Sequence, residues 1–401
     1  MKPIIDLNRE YGIVLEGGGA KGAYQIGAWK ALLEAGVKIA GVAGTSVGAI
    51  NGALMCMGDY ETAEKIWENI SYSQIMDVDD EMMRGLFSRD VPWKEFLREV
   101  FSHVSDGGMD VTPLRQMLEK YVDPEAILQS PMEFYVLTFY VDRMKELEID
   151  MKTVEPDMMV DSLLASAYLF PLFKNEKIRG ATFIDGGTVN NVPLSPLVER
   201  GYKDIIVIRI FGIGHEKRVK VPDDTEIITI APRVSLGNLI DFDGKKSRRN
   251  MTIGYYDAMR VIYGLSGVIY YIDESEEECY YLRQLIDVEE EVIYDLQENY
   301  QSYGKGQSPV RALIEELLPL VATELKLSPA WTYRELYLAV MEATAKMCHI
   351  KKYHIYTLQQ LKEEIINRKD RLHRREVPAF VQLITGVLSE VPEIDEKDTG
   401  G

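Results

Sequence analysis

Two short apolar runs in the first 60 residues each end in glycine and lead directly into a helical pattern. The first apolar run covers residues 11–15, followed by a glycine turn at 17–19 and a helical pattern at 21–35. The second run covers residues 39–43, followed by a glycine turn at 44–48 and a helical pattern at 49–57. An apolar strand, a glycine turn and a helix in immediate repetition are typical of the start of a parallel sheet flanked by helices. This alternation continues to about residue 232. The sequence therefore predicts an α/β fold for the first part of the chain.

Beyond residue 232 the strand signals nearly stop and helical patterns take over. Apolar residues recur at helical spacing over residues 310–321, and two capping boxes, Thr332 with Glu335 and Thr357 with Gln360, predict helix starts. The acidic run 273–278 marks the expected boundary. We therefore expect an α/β domain at residues 1–272, an all-helical C-terminal region at 273–390 and a flexible tail at 391–401.

The charge balance restricts the partners of the chain. It carries 45 basic and 64 acidic side chains, for a net charge of −19. Such a molecule repels phosphate, which argues against nucleic acid as a partner and requires a local basic patch for any contact with an anionic membrane. The only dense basic run, residues 245–249, either meets phospholipid headgroups or is a solvated helix start.

Cysteine usage and apolar run lengths indicate the compartment. Cys56, Cys279 and Cys348 are far apart and form no CxxC pair, so neither a disulfide framework nor a zinc site is predicted. The N-terminus lacks a signal-peptide pattern, and no stretch of about 18 apolar residues occurs. We expect a cytoplasmic protein whose membrane contact, if it has one, is peripheral and at the inner face.

Gly44-Thr45-Ser46-Val47-Gly48 places a serine between the second apolar run and the helix after it. Glycines on both sides permit the strained turn that lifts a serine hydroxyl clear of the backbone. The following helix directs its free N–H groups and the positive end of its dipole toward any oxyanion formed there. The pattern favours a nucleophilic serine, and a plain strand-to-helix turn that contains a serine is the alternative.

The first glycine turn, Gly17-Gly18-Gly19-Ala20-Lys21-Gly22, also matches the GxGxxG pattern of dinucleotide-binding proteins. Two features count against that use. No acidic residue ends the second strand, and the second glycine turn carries the GxSxG pattern. The GK[ST] of a P-loop is also missing. The same turn is able to present a row of free backbone N–H groups as an oxyanion hole beside Ser46. Lys21 would then either favour the negative charge or fix the loop.

A serine nucleophile needs a base, and two candidates stay open. Asp185, in Asp185-Gly186-Gly187, follows a short strand, where the sites of α/β proteins lie, although a glycine turn with side-chain hydrogen bonds explains that motif by itself. His215 is the histidine best placed for the chain order Ser-Asp-His of α/β-hydrolases. Asp185 acting directly would need burial and hydrogen bonds to set its pKa.

Taken together, GGGAKG, GTSVG and DGG, in this order and spacing, resemble the motifs of the patatin-like phospholipases. The segment Leu164–Phe173 and the stretch Asn190–Pro193 are also similar to that family. The resemblance covers about residues 10–210. It implies a three-layer α/β/α fold with a mixed central sheet. The helical C-terminal third is similar to an extension on some bacterial members, and no activity is inferred from it.

The resemblance also implies the roles of individual residues. Ser46 would be the nucleophile and Asp185 the proton acceptor of a dyad without a catalytic histidine. The backbone amides of Gly17, Gly18, Gly19 and Val47 would form the oxyanion hole. The supporting positions in the same motifs are Lys21, Gly22, Gly44, Gly48, Gly186, Gly187 and Asn191. Lys21 stands where the family commonly has arginine, which keeps the positive charge.

The implied activity is hydrolysis of a fatty acyl ester, such as a phospholipid or lysophospholipid, through an acyl-enzyme and without a cofactor or metal. One alternative is an α/β-hydrolase-type esterase that uses His215, which is disfavoured because only two strands precede Ser46. Another is a non-catalytic lipid-binding or regulatory protein on the same fold. A nucleotide-binding protein is the third.

Overall fold

The computed structural model describes residues 1–88, 109–169, 172–173, 177–302, 308–372 and 377–386. The chain divides into two compact units, residues 2–264 and residues 265–401 with Met1. The boundary precedes the expected one after residue 272, because Tyr271–Asp273 is a strand that pairs within the C-terminal unit. The tail expected at 391–401 lies outside the described residues.

The N-terminal unit is built on a seven-stranded sheet. Its strands are β1 (Glu10–Leu15), β2 (Lys38–Thr45), β3 (Glu133–Tyr140), β4 (Lys145–Asp150), β5 (Phe183–Asp185), β6 (Asp204–Ile208) and β7 (Glu226–Ile230). They lie in the order β4-β3-β2-β1-β6-β7, with β5 paired to β3. The pairs between β3, β2, β1, β6 and β7 are parallel, whereas β4 and β5 run antiparallel to β3. This confirms the predicted mixed central sheet.

Helices connect these strands and cover the sheet. They are α1 (Ala23–Ala35), α2 (Val47–Met57), α3 (Tyr60–Glu68), α4 (Asp80–Ser88), α5 (Thr112–Tyr121), α6 (Pro124–Gln129), α7 (Met159–Ala167), α8 (Ser195–Glu199) and α9 (Gly244–Tyr263). Short 3₁₀ turns lie at Gly19–Gly22, Tyr72–Gln74, Val141–Arg143, Pro156–Met158 and Gly186–Thr188. Side-chain caps fix several helix starts; the Asp59 carboxylate, for example, accepts from the Thr62 amide at 3.0 Å.

Successive residues of the central strands are buried on opposite faces of the sheet, as the period of two in a strand requires. Val14 and Ala43 share one apolar cluster with Leu197 of α8. On the other face, a Cβ on Gly52 of α2 would lie 2.8 Å from the ring of Phe134, so that helix lies directly on β3. Helices therefore pack on both faces, which confirms the three-layer α/β/α arrangement.

The C-terminal unit is mainly helical. Its helices are α10 (Glu278–Ile286), α11 (Glu290–Tyr300), α12 (Pro309–Ala312), α13 (Leu318–Glu324), α14 (Tyr333–Met347), α15 (Leu358–Ile366) and α16 (Gln382–Thr385), with a π turn at Leu313–Leu317 and 3₁₀ turns at Lys369–Arg371 and Ala379–Val381. Both predicted capping boxes are present. Two parallel strands, β8 (Tyr271–Asp273) and β9 (Ile355–Thr357), also belong to this unit, so the expectation of an all-helical region is wrong.

Buried side chains from these helices form one apolar cluster, to which Leu296, Leu317 and Leu361 contribute without exposed surface. Glu342 is also buried, and its carboxylate accepts hydrogen bonds from the amides of residues 268, 269 and 270 at 2.7–2.9 Å. A buried carboxylate is tolerated when it is satisfied in this way. In the described ranges, no helix has the length and apolar character needed to cross a membrane.

Candidate active site

Strand β3 brings the two candidate catalytic residues together. Its Leu137 pairs with Thr45, the last residue of β2. The next residue of β3, Thr138, pairs with Asp185, the last residue of β5. Ser46 follows Thr45 directly, so adjacent positions on one strand hold both side chains at the carboxyl end of β2, where the sites of α/β sheets lie.

Ser46 itself has a strained backbone, with φ 55° and ψ −126°. Such a conformation at a non-glycine residue costs about 1–3 kcal/mol and occurs where the surroundings enforce it. The flanking glycines allow it through close packing: a Cβ on Gly44 would lie 2.3 Å from the Gly48 carbonyl oxygen, and one on Gly48 would lie 2.3 Å from that of Leu15. The turn therefore presents the Ser46 side chain outward from the sheet edge.

A second serine holds this turn in place. The backbone N–H of Ser46 donates to Ser166 Oγ at 2.8 Å, and the Ser166 hydroxyl donates to the carbonyl oxygen of Leu137 at 2.6 Å. Ser166 belongs to α7 and has no exposed surface. The backbone N–H of Ser46 is thus already hydrogen-bonded within the fold. No local sequence pattern identifies Ser166 as its partner.

Asp185 is 5% exposed and accepts a hydrogen bond from the Gly187 amide at 2.7 Å. Burial raises the pKa of Asp185 to about 6, against the smaller lowering effect of its hydrogen bonds with the Ser46 side chain and the Gly187 amide. The carboxylate is therefore ionised at neutral pH and has a proton affinity suited to general-base chemistry. Gly186 packs under it, since a Cβ there would lie 2.4 Å from the Leu137 carbonyl oxygen.

The glycine turn after β1 lies beside Ser46, but its three predicted donors are not equivalent. The Gly17 N–H donates to the carbonyl oxygen of Asn191 at 3.1 Å, so this amide is occupied, which corrects its expected place in an oxyanion hole. The structure gives no partner within the described residues for the amides of Gly18, Gly19 and Val47. Gly18, Gly19 and Val47 line the same pocket as Ser46.

Gly19 occupies a position that only glycine accepts. Its φ is +55°, and a Cβ there would lie 2.0 Å from the carbonyl oxygen of Leu239. That carbonyl also accepts from the amide of Ala20 at 2.7 Å, which closes the turn. Gly22 has a different task, because a Cβ there would lie 2.5 Å from Val47 Cγ2, at the start of α2.

The Lys21 side chain contacts a loop, which fits the second of its two predicted roles. Its Nζ donates to the carbonyl oxygen of Phe211 at 2.6 Å. Burial lowers the pKa of Lys21, and the nearby carboxylate of Glu16 opposes that effect. The ammonium group thus ties the glycine turn to the segment that follows β6.

Glu16 and Asn191 complete this scaffold. Glu16 is 2% exposed, and its carboxylate accepts from the amides of residues 210, 211 and 212 at 2.7–3.2 Å. It also pairs with Arg209 Nε at 3.0 Å. The Asn191 side chain donates to the Gly17 carbonyl oxygen at 3.0 Å. Glu16 was missed from the sequence, although an acidic residue directly after a buried strand was a usable signal.

His215 takes part only through its backbone. Its N–H donates to the Gly187 carbonyl oxygen at 2.8 Å, and its carbonyl accepts from the Asn191 amide at 2.6 Å. The residue is exposed, and in the described structure its ring has no hydrogen bond to Ser46 or Asp185. The arrangement therefore does not support the alternative triad. Among the described residues, no group of three or more potential metal ligands occurs.

An apolar pocket contains both Ser46 and Asp185 in its lining. Its walls come from α2, α3, α5 and the segment before α9, including Ile50, Leu54, Trp67, Leu114, Leu118 and Phe242. A polar pair at one end of an otherwise apolar pocket matches a molecule with one reactive polar group and a hydrocarbon chain.

Residues 13–198 match the family model described as patatin-like phospholipase. Lysophospholipase NTE1 of Cryptococcus neoformans is 26% identical over 205 residues, which are 51% of this chain and 11% of that protein. Lysophospholipase nte1 of Aspergillus terreus is 59% identical over 46 residues, 12% of this chain and 3% of that protein. The chain thus spans only a small part of either relative. Among solved structures, VipD from Legionella pneumophila gives a TM-score of 0.40 at 14% identity, with 92% of each chain covered.

Proposed function

Residues 13–198 are a patatin-like phospholipase domain, and from this premise we propose that the protein is a serine hydrolase that cleaves fatty acyl esters of lipids. The observation that carries the proposal is that adjacent positions of β3 bring Ser46 and the buried carboxylate of Asp185 into the lining of one apolar pocket. A nucleophile beside a base whose pKa lies near neutrality is the arrangement that acyl transfer needs.

Acylation follows from these positions. Ser46 Oγ attacks the ester carbonyl carbon while its proton moves to the Asp185 carboxylate. The oxygen that becomes negative accepts hydrogen bonds from the amides of Gly18, Gly19 and Val47, the residues whose N–H groups are not used within the described fold. The carbon–oxygen bond to the leaving alcohol then breaks, and Asp185 returns the proton to that alcohol.

Deacylation repeats the steps with water as the nucleophile. A water molecule attacks the acyl-enzyme carbonyl and gives a proton to Asp185, and collapse of the intermediate returns that proton to Ser46 and releases the fatty acid. The N-terminal end of α2 points its dipole at the same oxyanion. Each loss of an oxyanion donor in such sites typically costs roughly 3–4 kcal/mol of transition-state stabilisation.

The substrate we propose is a phospholipid or, as the names of the two fungal relatives suggest, a lysophospholipid. The pocket supports a single hydrocarbon chain, because its walls are apolar apart from the residues around Ser46. In the reactive complex, the ester group of the substrate would lie beside Ser46 and its hydrocarbon chain would lie along α2.

Active-site labelling tests the proposal. Wild type, Ser46→Ala and Asp185→Asn are treated with a fluorophosphonate probe and read by intact mass, and hydrolysis of a short-chain chromogenic ester is measured in parallel. Ser162→Ala is the matched serine control, because this hydroxyl lies on α7 outside the pocket lining and, among the described residues, donates to the Met158 carbonyl oxygen at 2.9 Å.

We expect one adduct on wild type and on Ser162→Ala, none on Ser46→Ala, and strongly slowed labelling of Asp185→Asn. Labelling that persists in Ser46→Ala would show that another residue is the nucleophile. A folded wild type that is neither labelled nor active on any ester would overturn the proposal in favour of a non-catalytic protein.

A further inference from the structure

The segment that follows β6 contributes Ile213 to the lining of the pocket and is anchored at both ends. Glu16 holds the amides of residues 210–212, Lys21 holds the Phe211 carbonyl, and the backbone of His215 bonds to Gly187 and Asn191. A loop fixed in this way presents its side chains without a further ordering cost when it meets a partner.

Glycines on this loop lie close to the backbone around the site, and two large apolar side chains of the loop are exposed. A Cβ on Gly212 would lie 1.8 Å from the Gly17 carbonyl oxygen, and one on Gly214 would lie 2.6 Å from that of Gly187. Phe211, before Gly212, is 55% exposed, and Ile213, between the two glycines, is 73% exposed. Ile213 also lines the pocket, so the exposed apolar surface is continuous with the pocket wall.

The same loop carries concentrated positive charge. Residues 209–220 contain four basic side chains and one acidic side chain, in a protein of net charge −19. Arg218 and Lys220 are exposed, and no ion pair involves them within the described structure. Lys217 reaches Glu146 at 3.1 Å, next to Met144, which is 75% exposed. Apolar and basic side chains thus occur together on the loop that contributes Ile213 to the pocket lining.

The other basic run has different contacts. Lys246 pairs with Asp241, Arg248 donates to the Glu68 carbonyl oxygen at 2.6 Å, and Arg249 donates to that of Ser235 at 3.1 Å. Those cations are used to hold the start of α9. On the loop after β6, by contrast, Arg218 and Lys220 form no ion pair within the described residues and are free to meet an external anion.

We propose that residues 209–220 are a membrane-docking loop that inserts Phe211 and Ile213 into the interface of an anionic bilayer, with Arg218 and Lys220 on the headgroups. This rests on the proposed function, because docking there would set the mouth of the pocket against the lipids it hydrolyses. The net negative charge does not prevent it, since charges beyond about 8 Å are largely screened at physiological ionic strength. Exposed apolar side chains beside lysines and arginines are the combination that interfacial binding needs.

Vesicle sedimentation tests the loop, with Ser46→Ala as the parent so that the lipids stay intact. The parent is mixed with vesicles of phosphatidylcholine alone or of phosphatidylcholine with phosphatidylglycerol. Added to this parent, Phe211→Asn removes the apolar tip while asparagine tolerates the φ of +48° at that position. The double variant Arg218→Glu with Lys220→Glu reverses two positive charges of the loop.

The matched controls lie outside this loop and outside the pocket lining, before β1 and at the start of β2. Ile4→Asn replaces an apolar side chain that is 71% exposed. Lys2→Glu with Lys38→Glu reverses two exposed cations. If the loop docks, these variants bind vesicles as the parent does.

We expect the parent to bind the mixed vesicles, to bind phosphatidylcholine alone much more weakly, and to be released by salt. Neutralising a basic residue near an anionic surface weakens binding about fivefold, so the double reversal should weaken it by on the order of 25-fold or more. Phe211→Asn should weaken it roughly tenfold. Equal binding to both vesicle types, no binding by the parent, or equal losses in the controls would overturn the loop as a docking site.

Fluorophosphonate labelling of the loop variants with Ser46 restored separates the two proposals. If labelling is normal and no variant changes vesicle binding, the docking loop is wrong and the hydrolase proposal stands. If wild type is not labelled but the loop variants still lose vesicle binding, the hydrolase proposal fails and the loop remains a lipid-binding surface.

Discussion

Ser46 donates its backbone N–H to Ser166 Oγ at 2.8 Å, and Ser166 is in turn held by the Leu137 carbonyl oxygen at 2.6 Å. Leu137 pairs with Thr45, so the strained turn is fixed from its own strand and from α7. An unpaired buried N–H costs about 1–3 kcal/mol. The conformation of the nucleophile therefore depends on a residue that does not contact the substrate.

Ser166→Ala should lower kcat by roughly 5- to 100-fold with little change in KM, because the Ser46 turn relaxes while the pocket is unchanged. Steady-state hydrolysis of a soluble ester measures both constants. Ser162→Ala, on the same helix, should leave them unchanged. A rise in KM alone would show that Ser166 shapes the pocket rather than the turn.

The pH dependence of kcat/KM should rise through a midpoint of about 6, because Asp185 accepts a proton only when it is ionised and burial raises its pKa to about 6. Rates of fluorophosphonate labelling from pH 4 to pH 8 should follow the same curve. A midpoint near the ordinary aspartate value of 3.8 would mean that the carboxylate is hydrated in solution.

Asp185→Asn should abolish activity and raise stability at neutral pH. A folded-state pKa of about 6 against 3.8 means that the folded protein binds this proton more tightly than the unfolded chain. Stability is thus lost as pH rises from about 4 to 6, and the full penalty, roughly 3 kcal/mol, is present above that range. Thermal unfolding at pH 7.5 should show the gain, and unfolding at pH 3.5 should show none.

Gly19→Ala should slow labelling by roughly 100- to 1000-fold, the effect of losing one oxyanion donor. The new methyl group meets the Leu239 carbonyl oxygen, so the backbone has to move. Gly36→Ala is the control, because Gly36 also has a positive φ, of 79°, but has nothing within 4 Å of its Cβ position. If both variants label alike, the Gly19 amide does not serve the reaction.

Leu54→Trp should shorten the range of acyl chains that the enzyme accepts. Leu54 lines the pocket on α2, eight residues beyond Ser46, and eight residues of helix span about 12 Å. Butyryl esters end short of it and should be cleaved at the wild-type rate, whereas long-chain esters should lose most of their turnover. Comparing chain lengths within one variant removes any effect of overpacking on stability. An equal loss of turnover for short and long esters would show that the acyl chain does not lie along Leu54.

Local features of the fold could be predicted from the sequence. The turns at Gly17–Gly19, Gly44–Gly48 and Asp185–Gly187 each depend on glycine within a few residues of a strand, so their positions follow from neighbouring residues alone. The capping boxes that start α14 and α15 are local in the same way.

Other features depend on contacts between residues far apart in the chain. Glu16 meets the amides of residues 210–212, and Ser166 meets Ser46, across separations that no local pattern encodes. Strands β8 and β9 are three residues each and stabilise one another across more than 80 positions. The occupied amide of Gly17 could not be foreseen either, since its acceptor, Asn191, arrives from another part of the chain.

The alternation of Gly212 and Gly214 with Phe211 and Ile213 restricts the insertions and deletions that this loop can accept during evolution. One residue inserted or deleted between the anchors at Ile210 and His215 would turn a bulky side chain toward the Gly17 carbonyl, where even a methyl group has no room. Substitutions at the outward positions carry no such penalty. We therefore expect related chains to differ freely in which apolar residues stand there while keeping the number of residues unchanged.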